Sequence, residues 1–198
     1  MMFPEILIIM AEDLVEACEK QGLTLALAET CTGGLVAGCV TSVPGASAVF
    51  ERGFVTYSNT AKAQLLGVDE TIFATHGAVS EVCAVAMAEG ALAHSPASIS
   101  ASVTGIAGPG GGSADKPVGL VHICVARDGF ESLHERHVFK GDRDRVRVQA
   151  VESVLRLLRS EEHTSELQSH HDLVCRLLLE KKNNKKKKKK NINKIGHT

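Results

Sequence analysis

Thr24-Leu25-Ala26-Leu27-Ala28 runs directly into Glu29-Thr30-Cys31-Thr32-Gly33-Gly34. A short apolar run, then a hydroxyl-rich turn closed by two glycines, reads as a strand handing over to a helix that extends from Gly33 to Thr41. A turn of this kind gathers hydroxyls and backbone N–H groups at one point. It suits either a nucleophile with its oxyanion donors or a cradle for an anion.

The flanking segments repeat the alternation. Upstream, Pro4 opens a stretch in which Ile6, Leu7, Ile9, Met10, Leu14, Val15 and Cys18 share one face, predicting a helix that ends at Gln21-Gly22. Downstream, Val43-Pro44-Gly45 ends the second helix, Val49 to Tyr57 reads as a strand, and Asn59 caps a helix carrying Lys62, Leu65 and Leu66 up to Gly67. Ser80 caps an alanine-rich helix, Glu81 to Ala93, and Ile99 to Val103 is a buried strand. Val118 to Ala126 and Leu133 to Phe139 form a hairpin around Arg127-Asp128-Gly129, and Asp142 or Asp144 opens a last helix through Leu158. Strands alternating with helices predict an α/β domain over residues 1–158, a three-layer α/β/α sandwich with a mixed, mostly parallel sheet.

Charge divides the chain. Residues 159–198 hold 11 Lys and Arg against 5 Asp and Glu, leaving 11 basic and 18 acidic residues before them. The body is acidic and the tail basic, so the near-neutral total describes neither part. Arg159-Ser160-Glu161-Glu162-His163-Thr164-Ser165-Glu166-Leu167-Gln168-Ser169 resembles the in-frame translation of a common sequencing adaptor, and the Lys/Asn run after it is what an adenine-rich stretch encodes. It reads as a disordered, artefactual tail. Its lysines have no interleaved aromatics, so it implies no nucleic-acid partner.

Six cysteines, Cys18, Cys31, Cys39, Cys83, Cys124 and Cys175, form no CxxC pair and no Cys/His ligand spacing. That argues against a disulfide framework or a metal site and for a reducing cytoplasm. Met1 to Met10 is apolar, yet Glu5 interrupts it and Ala11-Glu12-Asp13 follows it. It reads as the start of an amphipathic helix, not a signal or membrane span. His76, His94 and His122 are scattered and read as structural.

Four segments carry chemistry jointly: the Ala28–Gly34 turn; Gly53-Phe54-Val55-Thr56-Tyr57-Ser58-Asn59 with Lys62; Thr104-Gly105-Ile106-Ala107-Gly108-Pro109; and Lys116-Pro117-Val118-Gly119. Singly each has a plain reading, since a TGG turn is ordinary helix-start geometry, Tyr57 a strand aromatic and Lys62 an exposed helix lysine. In this order, over nearly all of residues 10–155, they resemble the CinA C-terminal domain family, which includes nicotinamide-nucleotide amidohydrolases.

The resemblance implies hydrolytic deamidation of nicotinamide mononucleotide to nicotinate mononucleotide and ammonia, in pyridine-nucleotide salvage, by a cytoplasmic homodimer that needs no metal or organic cofactor. The family occurs both alone and fused behind another domain, and Met1-Met2 suggests the stand-alone form here. Thr30 stands where the family pattern AESCTGG has serine; the resemblance makes this hydroxyl the nucleophile, with Lys62 and Tyr57 as proton-transfer partners. A β-branched secondary alcohol has restricted χ1 and a crowded oxygen, so slower acylation is expected. Thr32 and Thr104 are further hydroxyls, and which one attacks stays open at this level.

Gly33 and Gly34 are expected to leave N–H groups free at a helix start for an oxyanion or phosphate. The five glycines between Thr104 and Lys116, Gly108 and Gly111 among them, suit a cover over the nucleotide. Lys116 and Arg147 are the leading cations for a 5′-phosphate, with Arg143 a weaker one. The second functional expectation is a non-catalytic nucleotide-binding or regulatory domain of the competence/damage-inducible type, with Thr30 marking lost chemistry.

Overall fold

The computed structural model describes residues 2–160; the predicted tail from residue 161 on lies outside them. Along the chain the elements are α1 (Glu5–Gln21), β1 (Leu25–Glu29), α2 (Leu35–Thr41), a single 3₁₀ turn (Ala46–Ala48), β2 (Phe50–Val55), α3 (Asn59–Leu66), α4 (Glu70–Thr75), α5 (Glu81–Ala93), β3 (Ile99–Gly105), β4 (Leu120–Arg127) and β5 (Leu133–Val138). A last helix, α6, occupies residues 143–160.

All five residues of β1 are buried, because both faces of its sheet are covered. Side chains alternate across a strand, so Leu25 and Leu27 enter one apolar cluster and Ala26 and Ala28 another. The first cluster takes Leu7 and Leu14 from α1, Val36 and Val40 from α2, and Val154 and Leu155 from α6. The second takes Leu66 from α3 and Cys83 and Met87 from α5. Each fully buried leucine contributes roughly 1.5–3 kcal/mol. The result is the expected three-layer α/β/α arrangement.

The sheet order is β2-β1-β3-β4-β5. β1 runs parallel to β2 and to β3, whereas β3–β4 and β4–β5 are antiparallel. The sheet is mixed, but its parallel character is confined to β2-β1-β3. The short connection from Arg127 to Leu133 can only reverse the chain, which makes β4–β5 an antiparallel hairpin.

α5 lies close on the sheet because its contact face is small. Ala84 and Ala88 pack on Cys124 and Ala126, and the buried Ser100 and Ser102 donate to Ala88 O at 2.7 Å and Ala84 O at 2.5 Å. Gly90 admits α3 at the same range, since a Cβ there would sit 2.1 Å from Leu66 O.

Local signals hold with small shifts. Ser58, not Asn59, caps α3, its Oγ accepting from Ala61 N at 3.0 Å. Asp142 opens α6, its carboxylate accepting from Arg145 N at 2.9 Å. Sequence reading missed α4; none of its residues is fully buried, so it carries no apolar period to read.

Candidate active site

The three parallel strands end level, Glu29 pairing with Val55 on one side and Val103 on the other. The ladder continues one step beyond: Thr30 N donates to Val103 O and Thr56 N to Glu29 O, both at 2.9 Å. This delivers Thr30, Thr56 and Thr104 together at the carboxyl edge of the sheet, where open α/β sheets form their crevices.

A cavity of about 230 Å³ opens there, lined by Thr30, Cys31, Tyr57, Asn59, Lys62, Thr104 and Arg143, with Ala78 and Val79 on one wall. At its base Thr30 Oγ1 donates to Thr56 O at 3.1 Å, and Lys62 Nζ donates to the same oxygen at 3.0 Å. One carbonyl thus holds a hydroxyl and an amine side by side. A larger hollow of about 560 Å³ lies at the opposite end of the sheet, beneath the β4–β5 turn, and brings no hydroxyl together with a lysine.

Lys62 is not the exposed helix lysine that its type suggests. It is 1% exposed and the largest fully buried side chain among the described residues. Burial holds its amine below the usual 10.5, opposed by the nearby thiols of Cys83 and Cys31. A buried amine shifted toward its neutral form is the state a general base requires. Burial, reinforced by the Glu29 charge, pushes the Cys31 thiol up to about 12, against donation from the N–H groups of Cys31 and Thr32 and the charge of Arg147. At neutral pH Cys31 is therefore a thiol and a poor nucleophile.

The glycine turn does different work from that expected. Gly33 and Gly34 adopt φ values of 62° and 94°, which glycine reaches without a Cβ clash. The helix start they form is already filled: Glu29 is 1% exposed, and its carboxylate accepts from Gly34 N at 3.0 Å, Val36 N at 3.1 Å and Ala37 N at 2.8 Å. A carboxylate on the positive end of α2 satisfies the donors that an incoming anion would otherwise take. The expectation that these N–H groups stay free is corrected for Gly34.

The expected site residues thus divide into two groups. Thr30, Tyr57, Lys62 and Thr104 meet at the cavity. Thr32, Gly33, Gly34, Gly108, Gly111, Lys116 and Arg147 are not among its lining residues. Thr32 is fully buried and its carbonyl accepts from Arg147 Nη2 at 2.9 Å; Lys116 Nζ donates to His76 O and Val79 O. Besides Lys62, the basic side chain on the lining is Arg143, whose Nη1 donates to Gly108 O at 2.9 Å. Arg143 and Arg147 are one helical turn apart, and sequence alone does not say which faces the opening. Asn59 at the first turn of α3 was also passed over as a lining residue.

The family model of the CinA C-terminal domain matches residues 8–161. The chain belongs to the CinA C-terminal domain family. It is 50% identical over 149 residues, 75% of this chain and 90% of the relative, to the protein named nicotinamide-nucleotide amidohydrolase PncC from Escherichia coli K12. It is 52% identical over 149 residues to a CinA-like protein of Anaeromyxobacter dehalogenans, covering 74% of this chain but 36% of that longer protein. Among solved structures, the competence/damage inducible protein CihA from Agrobacterium tumefaciens superposes with a TM-score of 0.80 at 43% identity, covering 81% of this chain and 98% of that one. The CinA domain fold therefore extends through all three layers described above.

Proposed function

We propose that this chain hydrolyses the carboxamide of nicotinamide mononucleotide to nicotinate mononucleotide and ammonia, as a nicotinamide-nucleotide amidohydrolase. The observation that carries the reading is the pairing of Thr30 Oγ1 and the buried Lys62 Nζ on Thr56 O at the base of a cavity, in a chain half identical to a protein named for that activity.

In this reading the neutral Lys62 amine takes the Thr30 hydroxyl proton as Oγ1 bonds to the amide carbon. The backbone N–H groups of Cys31 and Thr32, which follow Thr30 at the end of β1, serve as oxyanion donors. The Lys62 ammonium then gives its proton to the amide nitrogen as the C–N bond breaks and ammonia leaves. Water, deprotonated by the same amine, attacks the ester, and Thr30 recovers its proton as the carboxylate departs.

Tyr57, 66% exposed at the rim, is the second proton-transfer partner, and Thr104 shapes the floor. Arg143, which lines the cavity and keeps guanidinium donors beyond the one given to Gly108 O, takes the 5′-phosphate in place of Lys116 and Arg147, which do not line it. Gly108 and Gly111 contribute by letting the glycine-rich loop approach the nucleotide.

A cytoplasmic homodimer fits the same reading. None of the five described cysteines is in a disulfide, and Val55 and Tyr57 lie exposed beside the cavity on the outer strand and its extension. Among the described residues no helix is long and apolar enough to cross a membrane.

The test is release of ammonia and nicotinate mononucleotide from nicotinamide mononucleotide by the purified full chain. Turnover is expected, abolished in Thr30→Ala and raised several-fold to about tenfold in Thr30→Ser, because a primary alcohol removes the β-branch crowding. Nucleotide binding with no turnover in any of the three proteins would move the assignment to a non-catalytic binding domain. A Thr30→Ser protein slower than wild type would remove Thr30 as the nucleophile.

A further inference from the structure

Four successive carbonyls between α4 and α5 are each held by a side chain. Lys116 Nζ donates to His76 O and, at 2.8 Å, to Val79 O. Ser80 Oγ donates to Gly77 O and Thr104 Oγ1 to Ala78 O, both at 2.8 Å. Backbone oxygens outside a helix or sheet ladder need such partners or water, and here the fold supplies them from the cap of α5, from β3 and from the end of the glycine-rich loop.

The segment so held is a wall of the cavity: Ala78 and Val79 stand on the lining with Thr30 and Lys62. Lys116 is itself anchored, its N–H donating to Ser113 Oγ at 3.1 Å and its carbonyl accepting from Ser113 N at 2.8 Å. The wall and the lysine touch closely. Gly77 has a φ of +77°, and a Cβ there would lie 2.9 Å from the Lys116 nitrogen.

We propose that Lys116 is a positioning residue whose ammonium pins the 76–79 wall to the end of the glycine-rich loop and so sets the shape of the cavity, without touching a substrate phosphate. A compact ammonium with three donors suits two carbonyls converging on one point, and both of those bonds are charge-assisted. The kinetic consequence rests on the deamidase reading. The structural consequence does not.

The experiment compares wild type with Lys116→Met and Lys116→Arg in the full chain, by kinetics on nicotinamide mononucleotide and its phosphate-free riboside and by amide hydrogen exchange. With Lys116→Met, kcat/KM should fall roughly tenfold for both compounds by the same factor, as expected for loss of two charge-assisted bonds partly replaced by water. Exchange of the amides over residues 77–80 should quicken, and Lys116→Arg should recover part of both effects.

A loss confined to the phosphorylated compound, with exchange unchanged, would make Lys116 a phosphate ligand and overturn the proposal. Unaltered kinetics on both compounds, or unaltered exchange over 77–80, overturns it equally. If wild type turns over neither compound, the deamidase reading falls and the exchange comparison alone decides the role of Lys116. Should Lys116→Met fail to fold, Lys116→Gln carries the same comparison.

Discussion

Two buried bases sit in the two halves of the sheet. Lys62 lies behind the ends of the parallel strands, and His122 lies on β4 in the antiparallel half, 1% and 7% exposed. Burial lowers the proton affinity of each: the Lys62 amine below its usual 10.5, and the His122 imidazole to about 4, helped by His134, Arg136 and Lys116 and opposed by Glu81.

Their surroundings differ. Lys62 shares an oxygen with the Thr30 hydroxyl at an open cavity. The His122 ring pairs with His134, Nδ1 to Nε2 at 2.9 Å, with ring centroids 5.1 Å apart, and His134 Nδ1 faces Glu81 Oε2 at 3.6 Å. A shifted proton affinity marks burial; a hydroxyl on a common partner, with room for a substrate, is what makes it a candidate for chemistry.

The largest expected effect separates the two bases directly. Lys62→Met should lower kcat by about 10³-fold or more while leaving thermal stability at pH 7 equal or higher. The sign follows from linkage. A lysine whose folded-state pKa is depressed costs the native state stability in full below that pKa, and the cost fades as pH rises from there to 10.5. Removing the amine removes that penalty, and methionine fills a similar volume. Wild-type kcat should accordingly rise with pH on the acid side, with a midpoint below 10.5. A Lys62→Met protein that melts several degrees lower would make the ammonium a structural group, and the contrast with His122 would collapse.

The next effect tests whether the turn beside Lys62 is rigid by construction. Glu29→Gln replaces a carboxylate that accepts three backbone N–H bonds with a group that must turn an NH₂ toward one of the donors. About 2–3 kcal/mol of stability should be lost in urea unfolding, with reduced turnover because Thr30 is the adjoining residue. A loss under about 0.5 kcal/mol would mean that the start of α2 is held by something else.

The smallest effect belongs to His122 alone. Its folded-state pKa lies below the ordinary 6.5, so stability present above that value drains away as pH falls from 6.5 to about 4, with no further loss from this group below. The expected change is a fall in stability confined to that range, read by denaturant unfolding across it, and His122→Gln should flatten it. An unchanged acid profile in His122→Gln would assign the sensitivity to other groups.

The order of elements was legible in the sequence because the governing signals are local. Ser80 and its helix, the Thr24–Ala28 run and the hairpin around Arg127-Asp128-Gly129 each declare themselves within a few residues. The same holds for the hydroxyl turn and for Lys62, whose place one turn after Ser58 needs only a cap and a helix. α4 escaped because it buries nothing fully, and the His122–His134 pair because residues twelve apart meet only when β4 and β5 pair.

By itself the sequence determined the alternation of strands and helices, the hydroxyl-rich turn at the end of β1 and the presence of a lysine within reach of it, since each depends on chain-local geometry. Tertiary structure alone decided that Lys62 is buried on an oxygen shared with Thr30 from the neighbouring strand, and that Arg143 lines the cavity while Lys116 and Arg147 do not. Those outcomes depend on which donor reaches an acceptor first when distant segments pack, a contest among groups that one-dimensional spacing does not rank.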